Sequence, residues 1–314
     1  MKTYSQYTII LLAAVAVLCT PNPATADGGD LLWNYPGIEN VVCIEWIEDV
    51  DGDGGPDVLM ETYDAGAPTA DHLYCLRGSA SGAGDVLWSI RPAGGPSNSG
   101  GYGDNCLRVS PDLNGDGHQD VLLGTAWGGR TAYAVDGVTG DVLWKFDTYS
   151  DSPPSPAESG WVYAVDWIGD NTGDGVPEVI FCTGSQSDAM YCANGATGDI
   201  LWYMQGLDAF FECRNVGDVD GDGYDDAAFG AGDYGEHIYV MSGPGDGGGN
   251  PEVIWDQSYT GSIFSIAALP SINGDDVNDI ATGAWNNQVT CHDGAGGQTL
   301  WTAPIGSSVM RISL

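Results

Sequence analysis

Residues 49–60 read DVDGDGGPDVLM. Asp49, Asp51 and Asp53 alternate with small residues, Asp57 follows a Gly-Gly-Pro turn, and the chain then turns apolar. Two unit charges ~4 Å apart repel by roughly 4 kcal/mol at an effective dielectric of ~20. Either a bound cation offsets that repulsion or the carboxylates splay into water. The stretch recurs in register. Residues 112–123 are DLNGDGHQDVLL, 170–181 DNTGDGVPEVIF, 218–229 DVDGDGYDDAAF and 271–282 SINGDDVNDIAT.

A second motif follows each copy and ends in tryptophan, at Trp88, Trp144, Trp202, Trp255 and Trp301, a period of roughly 45–60 residues. AYAVDGVTGDVLW (132–144) is one example. Each period divides into four short strands. The acidic loop lies between the first two, and Gly- and Asp-rich turns separate the others. Four strands per unit, repeated without helices, predict an all-β fold: a β-propeller of four-stranded blades. A regular period with one loop type per period argues against a pair of β-sandwiches. The expectation is five full repeats over 27–314 plus partial terminal strands. LLW (31–33) reads as a fourth strand without its first three, and VMRIS (309–313) matches the first-strand segment CLRVS (106–110). These two pieces suggest a longer chain or a ring closed by both termini.

The chain has 314 residues, 43% hydrophobic, with 44 acidic against 8 basic residues and a formal charge of −36. Such a charge repels nucleic acid and anionic membranes and attracts cations. Lys2, the apolar run Ile9 to Leu18 and the small residues Ala24-Thr25-Ala26 read as a signal peptide over 1–26, cleaved after Ala26. The expectation is therefore a secreted or cell-surface protein with no membrane insertion. Seven cysteines remain beyond the leader. An exported chain makes disulfides plausible. Pairing a third strand with the next first strand gives Cys75–Cys106, Cys192–Cys213 and, across ring closure, Cys291–Cys43. Cys182–Cys192 is the alternative. The absence of C-x-x-C argues against zinc.

Calcium takes six to eight oxygens from carboxylates, carbonyls and water. Ligands at loop positions 1, 3 and 5 let a curved backbone aim alternate side chains inward. Glycine at position 6 permits the turn, and position 9 returns a carboxylate from the next strand. Loop one offers Asp49, Asp51, Asp53 and Asp57; loop two Asp112, Asn114, Asp116 and Asp120; loop four Asp218, Asp220, Asp222 and Asp226. Loop three, with Asp170, Thr172, Asp174 and Glu178, departs at two positions. Loop five has Ser271, Asn273, Asp275 and Asp279, with Asp276 in place of the glycine, and should be weakest. An EF-hand needs Glu at position 12. Here those positions are Met60, Leu123, Phe181, Phe229 and Thr282. An empty Asp/Gly turn is the bland alternative, and five copies in register weigh against it.

D-x-[DN]-x-D-G-x-x-D before an apolar strand resembles the FG-GAP repeat of integrin α-chain propellers and bacterial VCBS-type proteins. The span Ala134 to Trp144 resembles the repeat of quinoprotein-type propellers. The resemblance covers about residues 31–314 and implies up to five structural Ca²⁺ ions. The tryptophans should wedge between blades.

Strand parity puts the acidic loops and the turns between third and fourth strands on one face. The other face carries Tyr63, Tyr102, Trp127, Trp161, Tyr234, Tyr259 and Trp285, which suits a binding surface for carbohydrate or an extracellular protein. No catalytic constellation is present. Glu45 and Glu48 read as residues flanking a strand rather than as an acid pair. The expected function is a binding or adhesion module. The rivals are a polysaccharide lyase, a quinoprotein-type enzyme and a purely structural surface repeat.

Overall fold

A computed structural model describes residues 34–35, 40–63, 71–78, 84–92, 106–126, 129–151, 160–185, 187–232 and 235–312. The leader lies outside them. So do Tyr102, Trp127 and Tyr234.

Twenty strands form five sheets, and no α-helix occurs among the described residues. The first sheet holds β1 (Asn40–Ile47), β2 (Asp57–Tyr63), β3 (Leu73–Leu76) and β4 (Val86–Ile90). The second holds β5 (Leu107–Ser110), β6 (Asp120–Gly124), β7 (Thr131–Val135) and β8 (Val142–Asp147). The third holds β9 (Trp161–Ile168), β10 (Glu178–Gly184), β11 (Ala189–Ala193) and β12 (Ile200–Gln205). The fourth holds β13 (Phe210–Gly217), β14 (Asp226–Ala231), β15 (His237–Met241) and β16 (Val253–Ser258). The fifth holds β17 (Ile263–Leu269), β18 (Asp279–Ala284), β19 (Gln288–His292) and β20 (Thr299–Pro304). Each sheet is an antiparallel meander in chain order. The expected four-strand blade is therefore observed five times.

Burial explains the strand patterns. The second strands β6, β10, β14 and β18 are buried along their whole length, because a neighbouring sheet covers each face. Their near-continuous apolar runs follow from that. The outer strands alternate instead: β8 reads exposed, intermediate, buried, exposed, buried, intermediate. Four apolar clusters stitch successive blades together, one at each junction from blade one to blade five. Among the described residues no such cluster joins blade five to blade one.

One device recurs at these junctions. The outer-strand tryptophan donates its indole N–H to a carbonyl of the next blade: Trp88 to Gly137 O at 2.9 Å, Trp144 to Gly195 O at 2.6 Å, Trp202 to Gly243 O at 2.8 Å and Trp255 to Gly294 O at 2.7 Å. The accepting glycine closes the third strand. A Cβ there would collide with the backbone carbonyl before the second strand, that of Gln119, Pro177, Asp225 or Asn278. Only glycine lets the two backbones approach so closely. The tryptophans thus wedge between blades, as the repeat suggested. Trp301, on the last strand, is 41% exposed.

The terminal pieces also follow the repeat. A Cβ on Gly124 would touch Val162, one on Gly230 would touch Ile263, and one on Gly283 would touch Val309. Val309 therefore takes the seat that a first strand takes on the preceding blade. At the other end Tyr35 packs on Tyr74 with ring centroids 5.9 Å apart, as Phe146 packs on Tyr191 at 5.4 Å.

The cysteine expectation is overturned. All seven are buried in the blade cores, and none of them forms a disulfide. Third strands lie two places outward from the first strands in each sheet. At ~4.8 Å per strand, that offset alone exceeds the ~7 Å Cα limit for bonding. Cys182 and Cys192 also miss each other, because Cys182 faces Met190 while Cys192 faces Ile180. Burial pushes the Cys75 thiol up to about 12 and Cys291 to about 11, so these are inert packing residues.

Candidate metal loops and the opposite face

The five acidic loops fill the β1–β2, β5–β6, β9–β10, β13–β14 and β17–β18 connections. Each is organised on its first residue. In loop one Asp49 accepts the N–H of Gly52 at 2.8 Å, of Asp53 at 3.0 Å and of Gly54 at 2.7 Å. Asp112, Asp170 and Asp218 accept equivalent bonds in loops two to four. The Gly54 N–H and its neighbours hold the Asp49 carboxyl below the usual range. The turn needs φ > 0 at positions 4 and 6, for example +76° at Gly52 and +97° at Gly54. Loop five departs as expected: the Ser271 hydroxyl replaces the first carboxylate, and Asp276 sits at φ +69°.

The position-nine carboxylates have a second task. Asp57, Asp120, Glu178, Asp226 and Asp279 are fully buried at the start of their strands. One oxygen accepts the N–H of loop position 2: Val50 at 3.0 Å, Leu113 at 2.7 Å, Asn171 at 3.1 Å, Val219 at 2.8 Å and Ile272 at 2.6 Å. In four blades the other oxygen accepts the N–H of the glycine that closes the third strand (the latch glycine), Gly78, Gly137, Gly243 or Gly294. These groups pin loop to blade. Glu178, one methylene longer, reaches Thr172 N instead, and its Oε2 is buried without a hydrogen-bond partner.

Carboxylates converge in three loops. Oxygens of Asp49, Asp51 and Asp53, of Asp170, Asp174 and Glu178, and of Asp218, Asp220 and Asp226 each lie within 4.8 Å of one another. Loop three therefore gathers its acids despite its two departures. Burial, with the charges of Asp174 and Asp170, pushes Glu178 up to about 7. Burial, with Asp220 and Asp222, pushes Asp226 to about 7. Loop two gathers no such trio: its third position is Asn114, whose amide donates to Asp116 at 3.3 Å and to Asp136 at 3.1 Å. In loop five Asn273 likewise donates to Asp275 at 2.9 Å and to Asp293 at 3.1 Å.

Sequence reasoning missed the residue just before the latch glycine. Arg77 holds that place in blade one and reaches Asp51 at 2.6 Å and Asp53 at 3.7 Å. The repulsion in the opening stretch is thus partly offset by a guanidinium of the same chain. In blade three Asn194 donates to Asp174 at 2.6 Å. The charge of this residue, read beside its loop, is the signal that would have found it. Donor chemistry suits an oxygen-seeking cation best in loops three and four, where acids converge without a competing arginine and one buried oxygen has no partner.

The first strands carry a charged hub. Arg108 meets Glu45 at 3.1 Å, and Arg214 meets Asp166 at 3.4 Å and Glu212 at 3.2 Å. Glu45 is thus an ion-pair partner, and Glu48 accepts the Gln119 N–H at 2.9 Å. On the face opposite the loops, rings form a ladder across blades three to five. Trp161 meets Tyr163 at 6.0 Å, Tyr163 meets Phe211 at 5.0 Å, Phe211 stacks on Phe264 at 4.6 Å, and Phe264 meets Trp285 at 5.0 Å. Trp285 ends the ladder, 54% exposed. Tyr259 turns away from this face and bonds the Thr282 hydroxyl.

No family model and no curated protein matches the sequence. Solved structures do. The chain resembles "BBS1N in complex with ARL6DN, soaked with mercury" at TM-score 0.55 and 9% identity, covering 88% of this chain and 70% of that one. It resembles Saccharomyces cerevisiae Sqt1 at TM-score 0.58 and 11% identity, covering 88% of this chain and 78% of that one. Both neighbours are propeller-like folds of repeated four-stranded sheets, and this chain is such a fold.

Proposed function

We propose that the chain is an exported, calcium-stabilised propeller that serves as a binding module for an extracellular protein or glycan. The convergence of three carboxylates in loops one, three and four carries this reading. A hard dication offsets both the burial and the lesser like-charge repulsion that lift Glu178 and Asp226. The FG-GAP likeness of the loops points the same way. The bound ion is a structural clamp, since each loop joins the first strand of a blade to its second. The aromatic ladder ending at Trp285 supports the opposite face as the contact surface. Export rests on the leader at 1–26.

The test is the melting temperature of the purified chain in EDTA and in millimolar calcium. A ligand held only by the folded state stabilises it by about 2.7 kcal/mol per site at a hundredfold excess over Kd. Calcium should raise the transition by several degrees, and sodium chloride at equal ionic strength should raise it less. Asp220→Ala should reduce the calcium increment, whereas Asp275→Ala should leave it nearly intact. Identical curves with EDTA and calcium would sink the metal reading.

A further inference from the structure

Blade five breaks the repeat at one junction. On the second and third strands, facing pairs are Met60–Tyr74, Leu123–Tyr133, Phe181–Tyr191 and Phe229–Tyr239, but Thr282–Thr290 in blade five. The preceding blade presents a side chain to each such pair. In blade two it is Phe146, whose ring lies 5.5 Å from Phe181 and 5.4 Å from Tyr191. The equivalent in blade four is Gln257, one register step from the aromatic row. Three apolar side chains are thus replaced by an amide and two hydroxyls at a single junction. Blade five also has buried His292 where the other blades have Leu76, Val135, Ala193 and Met241.

The lost volume is not refilled. A cleft of about 290 Å³ lies between blades four and five, at the small end of the ~300–1,000 Å³ typical of ligand pockets. Gln257, Tyr259, Gln288, Thr290, His292 and Thr302 line it. None of its lining residues is Asp, Glu, Lys or Arg, in a chain with 44 acids. Burial pushes His292 down, so the imidazole is neutral at physiological pH. The Gln257 Oε1 is shielded from solvent and has no hydrogen-bond partner. The Trp255 and Tyr259 rings flank His292 at 6.1 Å and 5.8 Å.

We infer that this cleft binds a small neutral polyhydroxylated molecule, one sugar residue in size. An anion is repelled by the chain's charge and finds no cationic partner here. A cation finds no carboxylate. A sugar hydroxyl donates and accepts at once, which suits a wall of hydroxyls, amides and a neutral imidazole. The Gln257 side chain lines the cleft with an amide whose Oε1 has no partner in the protein, a group such a hydroxyl would satisfy once the amide turns toward it. Apolar edges of the ring can lie against Tyr259, which lines the cleft. The inference deepens the binding-module reading by naming a ligand class, but it does not depend on calcium.

The test uses the calcium-loaded full chain and the methyl glycosides of glucose, galactose and mannose, with N-acetylglucosamine. Saturation-transfer NMR and isothermal titration read binding at millimolar sugar. At least one sugar should bind and shift the His292 ring resonances. Thr290→Tyr, which restores the ring found in four blades, should abolish binding without lowering the melting temperature. Gln257→Leu, which leaves the blade pairing alone, should weaken binding and covers the case in which Thr290→Tyr misfolds. Failure of every sugar to bind, or unchanged binding in both variants, overturns the inference. Neither result touches the calcium reading, which rests on melting curves measured without sugar.

Discussion

Replacing Trp202 by phenylalanine tests whether the indole latch holds neighbouring blades together. Trp202 is 2% exposed, packs edge-on to Phe229 at 6.2 Å, and donates to Gly243 O at 2.8 Å. Phenylalanine keeps an aromatic ring but loses the N–H and part of the volume. The buried Gly243 carbonyl then loses its indole donor, which costs about 1–3 kcal/mol. The space left by the smaller ring adds roughly 24 cal/mol per Å³, about 1 kcal/mol for some 40 Å³. The expected loss is about 2–4 kcal/mol, or roughly 5–10 °C for a domain of this size. Trp301 is the internal control: its ring is 41% exposed and sits on the last strand. Trp301→Phe should cost about 0.5 kcal/mol or less. Urea unfolding followed by circular dichroism gives both values in one buffer. Equal losses at the two positions would refute the latch, and the tryptophans would then be generic apolar bulk.

Other substitutions probe other features. Gly195→Ala should destabilise strongly, by about 3 kcal/mol or more, because its Cβ would strike the Pro177 carbonyl, a backbone atom that cannot step aside; urea midpoints check this. Asp276→Gly should raise the unfolding free energy by about 1 kcal/mol in EDTA, read as a higher urea midpoint, since Asp276 holds φ +69° where the other loops have glycine. Glu212 supplies a pH dependence. Burial pushes it up to about 7 from an ordinary 4.5, so the folded state binds its proton more tightly than the unfolded chain does. Its effect favours folding below pH ~4.5 and is lost as pH rises through about 7, by roughly 3 kcal/mol. Glu212→Gln should flatten the fall in melting temperature between pH 5 and 8, and an unchanged slope would show that Glu212 is ionised throughout.

Much of the fold was legible because a repeat reports on itself. Five acidic loops and five tryptophans in register imply five equivalent units, and a unit too small to bury its own faces must stack. The cysteines were misread because the repeat gives their strand but not the radial distance between third and first strands. The ranking of the loops had a narrower basis than the structure offers. It used only the nine residues of each loop, whereas the field at each loop includes the side chain before the latch glycine, more than twenty residues downstream in blade one. Arg77 weakens the case for loop one as a cation site. Glu178, which looked like a defect, is long enough to leave one buried oxygen over. The charged hub was harder still, since Arg108 and Arg214 reach Glu45 and Asp166 on the first strands of neighbouring blades, and Arg214 also pairs with Glu212 of its own strand.

The departures from the repeat are not scattered. Loop five lacks its first carboxylate and its second glycine, and the same blade has two threonines where the other blades pair a large apolar side chain with a tyrosine. Drift in an idle blade would be expected to leave a mixture of apolar and polar replacements. Instead Gln257, Thr282, Thr290 and His292, on three strands of two blades, are all neutral and polar, and Tyr259 turns from the outer face to join them. A polar group buried at a packed junction costs about 1–3 kcal/mol unless it is satisfied. Thr282, Thr290 and His292 are satisfied within the protein by one another, Tyr259, Thr302 and Gly297 O, so the cost that remains is that of Gln257 Oε1, which has no partner. A bound sugar and ordered water both lower that cost. Only a sugar displaced by Thr290→Tyr requires the cleft to have a shape, and that difference is what the titration reads.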